Sequence, residues 1–303
     1  MKTLYYIARE IKKFCEFFLI PFLVVLLPHR IYYPIFKFIC QYTFFYAMYT
    51  DKSYTNAKFF VKKINSEPIW NRNVKLLNLV DIADMWLAWL RPKKAQNLLH
   101  KNGSWSLDES FIALSSHWGT GFTSLAHLNQ SGLEPFFVFA KHDVDFKYQS
   151  MVERHYRKLR HTYFNKISGS IAIPTGQAYS IIKKKVEEHG VPVILFDAAR
   201  SKKGAKYALN IFGCYYYISS GFINLICKEG IPYQLFAVHM DFDSGVKNLT
   251  INPIKKQRSE QELLNELSTL LNALINQSPE LWFFWNQANQ FFYKPQLGLD
   301  KKL

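Results

Sequence analysis

His117 is the residue of this chain whose type and position best suit chemistry. It stands in the stretch FIALSSHWGTGF, residues 111–122, after the apolar run Ile112–Leu114 and before Gly119 and Gly121. The apolar run predicts a short buried strand, and the glycines predict a turn into a helix. A histidine at the carboxyl end of such a strand lies where open α/β sheets bind ligands, and its imidazole exchanges protons near neutral pH. The alternative is a hydrogen-bonded histidine with a structural role only.

Asp197 is the second candidate for chemistry. It directly follows the apolar run VPVILF, residues 191–196, and precedes Arg200, Lys202 and Lys203. A second strand is predicted there, so Asp197 also emerges at a strand end. The alternative, about equally weighted, is a loop cap whose carboxylate accepts backbone hydrogen bonds.

Several familiar sites are excluded by their patterns. The chain has no G-x-S-x-G elbow, no H-E-x-x-H helix and no Walker A loop. The nearest approach to a dinucleotide fingerprint, residues 119–124, has a serine in place of the third glycine. The four cysteines are scattered without a C-x-x-C pair, which excludes a disulfide framework or a cysteine zinc site and fits a reducing compartment.

The elements that must position His117 and Asp197 alternate along the chain. Apolar runs predict strands at Phe111–Leu114, Pro135–Phe139, Ile171–Ile173, Val191–Phe196 and Tyr233–Val238. Helical patterns separate them at Gly121–Asn129, Lys147–Thr162, Gln177–His189 and Ser219–Lys228. This alternation predicts an α/β fold with a mainly parallel sheet flanked by helices.

Two further helical regions frame these units. The pattern is helical from about residue 57 to residue 99, with Pro92 closing the main run. The clearest helix is EQELLNELSTLLNALINQ, residues 260–277, whose leucines form one apolar face. We predict that this face packs in the core.

The N-terminal region predicts a membrane anchor. Cations at residues 2–13 precede the apolar stretch Phe17–Leu27, and no small-residue cleavage site follows. That stretch is shorter than the roughly 20 residues of a straight spanning helix, so we expect one tilted or half-inserted helix with a cytoplasmic N-terminus. The aromatic stretch Ile31–Tyr49 predicts an interfacial segment. The expected organisation is an anchor region at 1–50, a domain at 51–295 and a tail at 296–303.

The composition favours a membrane partner. The net charge is +15, from 38 Lys and Arg against 23 Asp and Glu, and aromatic residues make up 17% of the chain. A basic surface attracts nucleic acid, anionic lipid or acidic carrier proteins. No nucleic-acid module accompanies the basic clusters, so we expect no nucleic-acid partner and favour a membrane surface.

The order of these pieces resembles the lipid A biosynthesis acyltransferase family. The resemblance rests on the basic apolar N-terminus, SSHWGTG, the strand ending in Asp197, Phe212-Gly213 with the small-residue helix after it, and PELWFFWNQANQFF. It covers roughly residues 74–293. It implies an uncleaved anchor and a glycerolipid acyltransferase-like α/β domain that faces the cytoplasm at the bacterial inner membrane. It also implies acyl transfer from acyl carrier protein, or from a coenzyme A thioester, to a hydroxyl of a membrane glycolipid, without a cofactor or metal.

The family motif is a histidine, four residues, then an aspartate or glutamate. His117 matches the histidine, which implies a general base, but Phe122 stands at the acidic position. Phenylalanine cannot orient an imidazole or stabilise an imidazolium. Three explanations remain open: another acid approaches His117, with Asp197 the first candidate and Asp143 the second; the acceptor is a stronger nucleophile such as an amine; or the transferase activity is lost.

Further site residues follow from the same resemblance. Lys141 and one of Arg157 or Arg160 fall where relatives carry arginines, which implies contacts with a phosphate or with the phosphate of a pantetheine arm. Arg200 is a further candidate for substrate binding, and main-chain N–H groups near Gly119 and Gly121 are candidates for stabilising the oxyanion. A solvated basic face is the alternative for the three cations at positions 141, 157 and 160.

Two rival functions remain open at this point. In the first, the same fold transfers a non-standard group, such as a glycyl unit or the acyl chain of a secondary lipid. In the second, the chain is a catalytically silent, membrane-tethered lipid-binding protein.

Overall fold

The fold is built on a mixed but mainly parallel sheet. The computed structural model describes residues 2–139, 150–168, 173–174, 178–256 and 259–294. The strands in this part of the chain are β1 (Leu99–Asn102), β2 (Ile112–Ser115), β3 (Glu134–Phe139), β4 (Ile173–Pro174), β5 (Gly190–Leu195), β6 (Tyr207–Ile211), β7 (Cys214–Ile218), β8 (Tyr233–Met240), β9 (Lys247–Ile251) and β10 (Phe292–Tyr293). Seven of these strands form one sheet in the order β1-β9-β8-β2-β5-β3-β4, in which only β8 and β9 pair antiparallel.

Helices cover both faces of this sheet. The described helices are α1 (Lys2–Phe14), α2 (Ile20–Leu26), α3 (His29–Tyr42), α4 (Ser53–Phe60), α5 (Glu67–Leu90), α6 (Pro92–Asn97), α7 (Phe122–Gln130), α8 (Met151–Ser168), α9 (Ala178–Glu187), α10 (Gly221–Cys227), α11 (Glu260–Gln277) and α12 (Ala288–Phe291). On one face, Leu125 of α7 shares an apolar cluster with Ala113 and Val193. On the other face, Leu114 and Ile194 belong to the cluster that includes α9, α10 and α11. Successive strand residues thus bury opposite faces, as the pleat requires.

The centre of the sheet is apolar on both sides. Every residue of β2 is buried, and β5 is buried along nearly its whole length. Continuous apolar runs are typical of parallel strands covered by helices on both faces. The predicted α/β fold with a mainly parallel sheet flanked by helices is therefore confirmed.

Most predicted elements match the observed ones within a few residues. The helix predicted at 260–277 has the observed bounds of α11, and its leucine face is largely buried in the core. Ser259 caps this helix by accepting a hydrogen bond from the Glu262 N–H. The strand predicted at 171–173 is observed at 173–174, and residues 171 and 172 lie outside the described part.

A second, smaller sheet was not predicted from the sequence. In the described residues, β6 and β7 form an antiparallel hairpin, and the short β10 pairs with β7. Phe212 and Gly213 link the two strands with φ angles of 53° and 74°. A two-residue turn with positive φ at both positions matches the right-handed twist of a hairpin. This small sheet stands beside the carboxyl end of β5 and contributes to the site described below.

The N-terminal apolar stretch differs from the expected half-inserted helix. Residues 17–27 are divided between a π-helical turn at Cys15–Leu19 and α2, and α2 packs against α5. Phe17, Ile20 and Val24 are buried there by protein. None of the helices in the described part of the chain combines the length and the apolar character needed to cross a bilayer.

Two acids of α5 join this helix to other elements. Asp81 forms an ion pair of 2.9 Å with Arg160 of α8, and Asp84 pairs with Lys247 at the start of β9. Both members of the second pair are almost fully buried. Burial raises the pKa of Asp84 to about 6, against the opposing effect of Lys247. The first pair therefore joins α5 to α8, and the second joins α5 to the sheet.

Candidate active site

The positions of His117 and Asp197 follow from the register of two neighbouring strands. Ser115 at the end of β2 pairs with Leu195 at the end of β5. His117 and Asp197 each lie two residues beyond this pair, and the Phe196 N–H continues the ladder by donating to the Ser115 carbonyl. In a parallel sheet both strand ends reach the same edge. The register therefore places the two side chains next to each other at the carboxyl edge of the sheet.

The two residues form a hydrogen-bonded dyad. Nδ1 of His117 lies 2.8 Å from Oδ1 of Asp197, and the His117 main-chain N–H donates to the same carboxylate at 2.8 and 3.0 Å. The Asp197 side chain is fully buried, whereas that of His117 is 29% exposed. A carboxylate only accepts hydrogen bonds, so the contact assigns the donor role to Nδ1, and in the neutral imidazole with this tautomer the lone pair lies on Nε2. The arrangement suits a general base.

Asp197 is held by two aromatic side chains as well. The Trp282 indole N–H donates to Oδ2 at 3.0 Å, and the hydroxyl of Tyr216 on β7 donates to the Asp197 carbonyl at 2.7 Å. Burial, with a smaller contribution from the nearby Asp197 charge, raises the pKa of Tyr216 well above its ordinary value. The phenol therefore keeps its proton and remains a donor. Both contacts were missed because their partners lie far away in the sequence.

A C-terminal segment, residues 281–284, lines the His117 turn. The Gly119 N–H donates to the Leu281 carbonyl at 2.8 Å, and the Phe283 N–H donates to the His117 carbonyl at 2.9 Å. The Phe284 ring lies 4.4 Å from the imidazole ring, centroid to centroid. The segment thus fixes both the backbone and one face of the histidine.

Gly119 is required by its backbone and its neighbour. Its φ is +75°, and a Cβ at this position would lie 1.7 Å from the Val238 carbonyl oxygen. Because its main-chain N–H already donates to the Leu281 carbonyl, Gly119 does not have the free donor that was expected of it. Gly121 precedes α7, and a Cβ there would meet open space.

The dyad opens onto a large apolar cavity of about 630 Å³. His117 lines it, together with side chains of β3, β5, α9, α10 and α12 and with Phe284 of the C-terminal segment. The principal apolar lining residues are Phe137, Val138, Ile182, Ile194, Phe196, Phe222, Leu225, Phe284 and Phe291. Cavities of 300 to 1,000 Å³ are typical of sites for small organic ligands. The walls suit an alkyl chain.

A basic loop borders the same cavity. Residues 198–206, AARSKKGAK, carry four cations and no acid. Arg200 lies on the cavity wall. Its main-chain N–H donates to the Tyr217 carbonyl at 2.9 Å, which attaches the loop to β7. His161 of α8 also lines the cavity. Burial, helped by the charges of Arg160 and Arg157, lowers the pKa of His161, so this second imidazole is neutral at neutral pH.

The other predicted cations are placed differently. Arg160 donates to Asp81 and to the Tyr156 hydroxyl, and its guanidinium lies over the Phe122 ring. Burial opposes its charge, but Asp81 and Tyr156 raise its pKa above the ordinary value. The Arg160 side chain is therefore engaged with Asp81 and Tyr156, and its expected role in phosphate binding stays a prediction.

Arg157 also lies elsewhere than expected. It pairs with Glu153 one turn away on α8, with more than half of its side chain exposed, which matches the solvated alternative. Lys141 and Asp143 lie outside the described residues.

Phe122 faces α8. Its ring lies 4.8 Å from Phe164 and 6.2 Å from Tyr163, and it is buried. The position at which the resembled family has its acid is therefore filled here by an aromatic cluster, while the acid beside His117 comes from β5.

The described residues contain no group of three or more His, Cys, Asp or Glu side chains arranged to hold a metal ion.

Comparisons with known proteins show a weak likeness to solved structures. No protein-family model matches the chain, and no curated protein matches it. Among solved structures it is similar to the 1-acyl-sn-glycerophosphate (LPA) acyltransferase PlsC from Thermotoga maritima, at 13% identity and a TM-score of 0.37. The match covers 85% of this chain and 97% of that chain. A likeness at this level assigns neither an activity nor a substrate to this protein.

Proposed function

We propose that this protein is a membrane-associated acyltransferase that uses His117 as its general base and Asp197 as the carboxylate that orients it. The observation that carries this proposal is the 2.8 Å contact between Nδ1 of His117 and Oδ1 of Asp197, at the wall of a 630 Å³ apolar cavity. A base that is oriented and open to a chain-sized apolar space suits transfer of an acyl group.

The proposed reaction balances without an oxidant or a cofactor. Nε2 of His117 takes the proton of an acceptor hydroxyl or amine while that atom attacks the carbonyl carbon of a thioester. The tetrahedral intermediate then breaks its carbon–sulfur bond, and the imidazolium returns the proton to the departing sulfur. Asp197 stabilises the imidazolium between these steps. Because the Gly119 N–H is engaged, we assign oxyanion support to the main chain around Gly121, at the start of α7.

The donor is proposed to be an acyl chain on acyl carrier protein, with a coenzyme A thioester as the alternative. The apolar cavity accommodates the chain, and the basic loop 198–206 beside it suits the phosphate of the pantetheine arm and an acidic carrier surface. Arg200 is the cation of this loop that lines the cavity, and it is our candidate for the phosphate contact.

The acceptor is proposed to be a lipid in a membrane. Helices α1 and α3 carry exposed apolar side chains, which form a stripe on each helix: Leu4, Ile7, Ile11 and Phe14 on α1, and Ile31, Phe38 and Tyr42 on α3. Lys12 lies over the exposed Phe44 ring, so the ends of the two helices are neighbours. Apolar stripes flanked by cations are typical of helices that lie in a membrane interface. A lipid A-type acceptor and a position on the cytoplasmic face of the bacterial inner membrane rest on the sequence resemblance.

The buried dyad also bears on the rival functions. A silent lipid-binding protein has no need of a fully buried carboxylate against a partly exposed histidine, since removing a charged group from water is costly even where it is hydrogen-bonded. Transfer of a non-standard acyl unit would use the same dyad. It would differ only in the acyl group that the cavity holds.

The test measures transfer of label from radiolabelled tetradecanoyl acyl carrier protein to membrane lipid by the purified full chain. We expect H117A to lower the rate about a thousandfold, whereas H155A, at an exposed position on α8, retains it. Undiminished transfer by H117A would overturn the proposal. Intact-lipid mass spectrometry of a strain lacking the gene then identifies the missing group, which separates lipid A acylation from transfer of a glycyl or secondary-lipid unit.

A further inference from the structure

The second oxygen of the Asp197 carboxylate has its own donor. Oδ1 accepts from the imidazole of His117, while Oδ2 accepts from the Trp282 indole at 3.0 Å. The His117 main-chain N–H is shared between the two oxygens. Trp282 is thus the only side chain that the structure's described residues place in hydrogen-bond contact with Oδ2. Because Asp197 is fully buried, no solvent replaces that donor if it is lost.

The indole is held firmly in this position. Trp282 is 2% exposed, and main-chain hydrogen bonds on either side of it, through Leu281 and Phe283, attach its segment to the His117 turn. The main chain at Trp282 is extended between two 3₁₀ turns, which directs the side chain toward β5. The donor and the imidazole are therefore fixed to the same piece of backbone.

We infer that Trp282 is a positioning residue for the dyad, acting through Asp197 and not on the substrate. This inference rests on the proposed function. A carboxylate bound through one oxygen can turn about its Cβ–Cγ bond, and a donor on the second oxygen opposes that rotation. With both oxygens bound, Oδ1 stays directed at Nδ1, which keeps the Nδ1–H tautomer and leaves Nε2 to accept a proton. Preorganisation of this kind affects the chemical step more than donor binding.

A purely packing role for Trp282 makes a different prediction. Its ring contacts Tyr216, Phe284 and Trp285 in the core, so a large truncation disturbs packing as well as the hydrogen bond. W282F keeps an aromatic ring and removes the N–H. Replacement of residue 282 by benzothienylalanine keeps the bicyclic ring and exchanges only the N–H for sulfur, and this second variant serves if W282F unfolds. The matched control is W70F, because Trp70 is also a buried indole that donates to a hydroxyl, that of Ser53.

The first measurement is the rate of transfer from tetradecanoyl acyl carrier protein to membrane lipid. Loss of a hydrogen bond to a charged group predicts a fall in kcat of about 10- to 100-fold in W282F, with KM within about twofold of wild type. W70F is expected to keep its kcat within about threefold. In the D197N background, W282F is expected to add little further loss, because the two residues act in series. An unchanged kcat in W282F, or a full additional loss in the double variant, overturns the inference.

The second measurement does not depend on activity. In protein with ¹⁵N-labelled histidine, with the His117 signals assigned by comparison with H117Q, the ring nitrogen shifts report the tautomer. The Nδ1–H form is expected to predominate in wild type and W70F and to decline in both variants at position 282. An unaltered tautomer in these variants overturns the inference. If wild type transfers no label, the proposed function fails while this spectrum still decides the role of Trp282.

Discussion

The imidazole Nδ1 of His117 lies 2.8 Å from Oδ1 of Asp197, although the two residues are 80 positions apart in the chain. Their meeting depends on the pairing of Ser115 with Leu195, which sets both residues two positions beyond level strand ends. A histidine at the edge of a parallel sheet can thus take its acid from the neighbouring strand as well as from its own turn. This arrangement supports the first of the three explanations for Phe122.

The D197N variant tests whether this acid serves the histidine. The amide has nearly the same shape, but it does not stabilise an imidazolium and it permits the wrong tautomer. We expect kcat to fall by about 10³- to 10⁴-fold with little change in KM. The measurement is label transfer from tetradecanoyl acyl carrier protein. Its control is D243N, since Asp243 is an exposed acid paired with Lys37. A D197N protein as active as the control would contradict the dyad.

The F122D variant tests whether the acid of the family motif can be restored at its usual position. Phe122 is buried between Tyr163, Phe164 and Arg160, so a carboxylate there leaves an aromatic cluster unfilled. We expect its free energy of unfolding, measured in urea, to fall by about 3 kcal/mol. We also expect no recovery of transfer in the D197N/F122D double variant. Recovery would mean that position 122 can reach His117.

Local pattern was sufficient to predict the parts of the site that lie within one strand and its turn. The buried strand before His117, the following helix and the strand before Asp197 all follow from apolar runs and glycines. Their parallel direction also follows from the alternation of strands and helices, whereas the pairing of β2 with β5 does not, because β3 and β4 lie between them along the chain. The sequence thus predicted that two titratable groups emerge at one edge of the sheet.

Contacts between distant segments were beyond such reasoning. Nothing local to Trp282 indicates that its indole reaches Asp197, since that contact depends on the turn at Pro279–Leu281 and on two main-chain bonds to the His117 turn. Arg160 illustrates the same point. The sequence resemblance implied a phosphate contact for Arg160 or Arg157, with a solvated basic face as the alternative. In the structure, Arg160 forms a partly buried ion pair with Asp81 of α5. The type of a side chain determines which interactions it can make, but the packing of distant segments determines which partner it meets.

Substitution of Arg160 on α8 and of Arg200 in the basic loop is expected to change different properties, stability in the first case and donor binding in the second. R160A leaves Asp81 without its partner, and we expect a loss of about 3 kcal/mol in the free energy of unfolding. R200A lies at the exposed wall of the cavity, so we expect unchanged stability and a KM for the carrier-protein donor raised about tenfold. Urea unfolding and donor titration of both variants provide the comparison. A stable R160A protein with a raised KM would reverse our assignment of the two residues.

The exposed apolar stripes on α1 and α3 predict binding to a lipid surface. Ile11 and Phe38 are 60% and 61% exposed, and burial of two such side chains in lipid contributes several kcal/mol, by about 1.5 to 3 kcal/mol each. We therefore expect I11E/F38E to bind vesicles of phosphatidylethanolamine and phosphatidylglycerol on the order of a hundredfold more weakly than wild type.

Leu107 offers a matched control, because it is 65% exposed on the loop after β1 and lies outside both stripes. L107E is expected to bind as wild type does. Co-sedimentation with the vesicles measures all three proteins, and equal binding by I11E/F38E and wild type would remove these stripes from the proposed membrane contact. Transfer of tetradecanoyl groups to a water-soluble acceptor should be unaffected by I11E/F38E, since the dyad and the cavity lie on other elements.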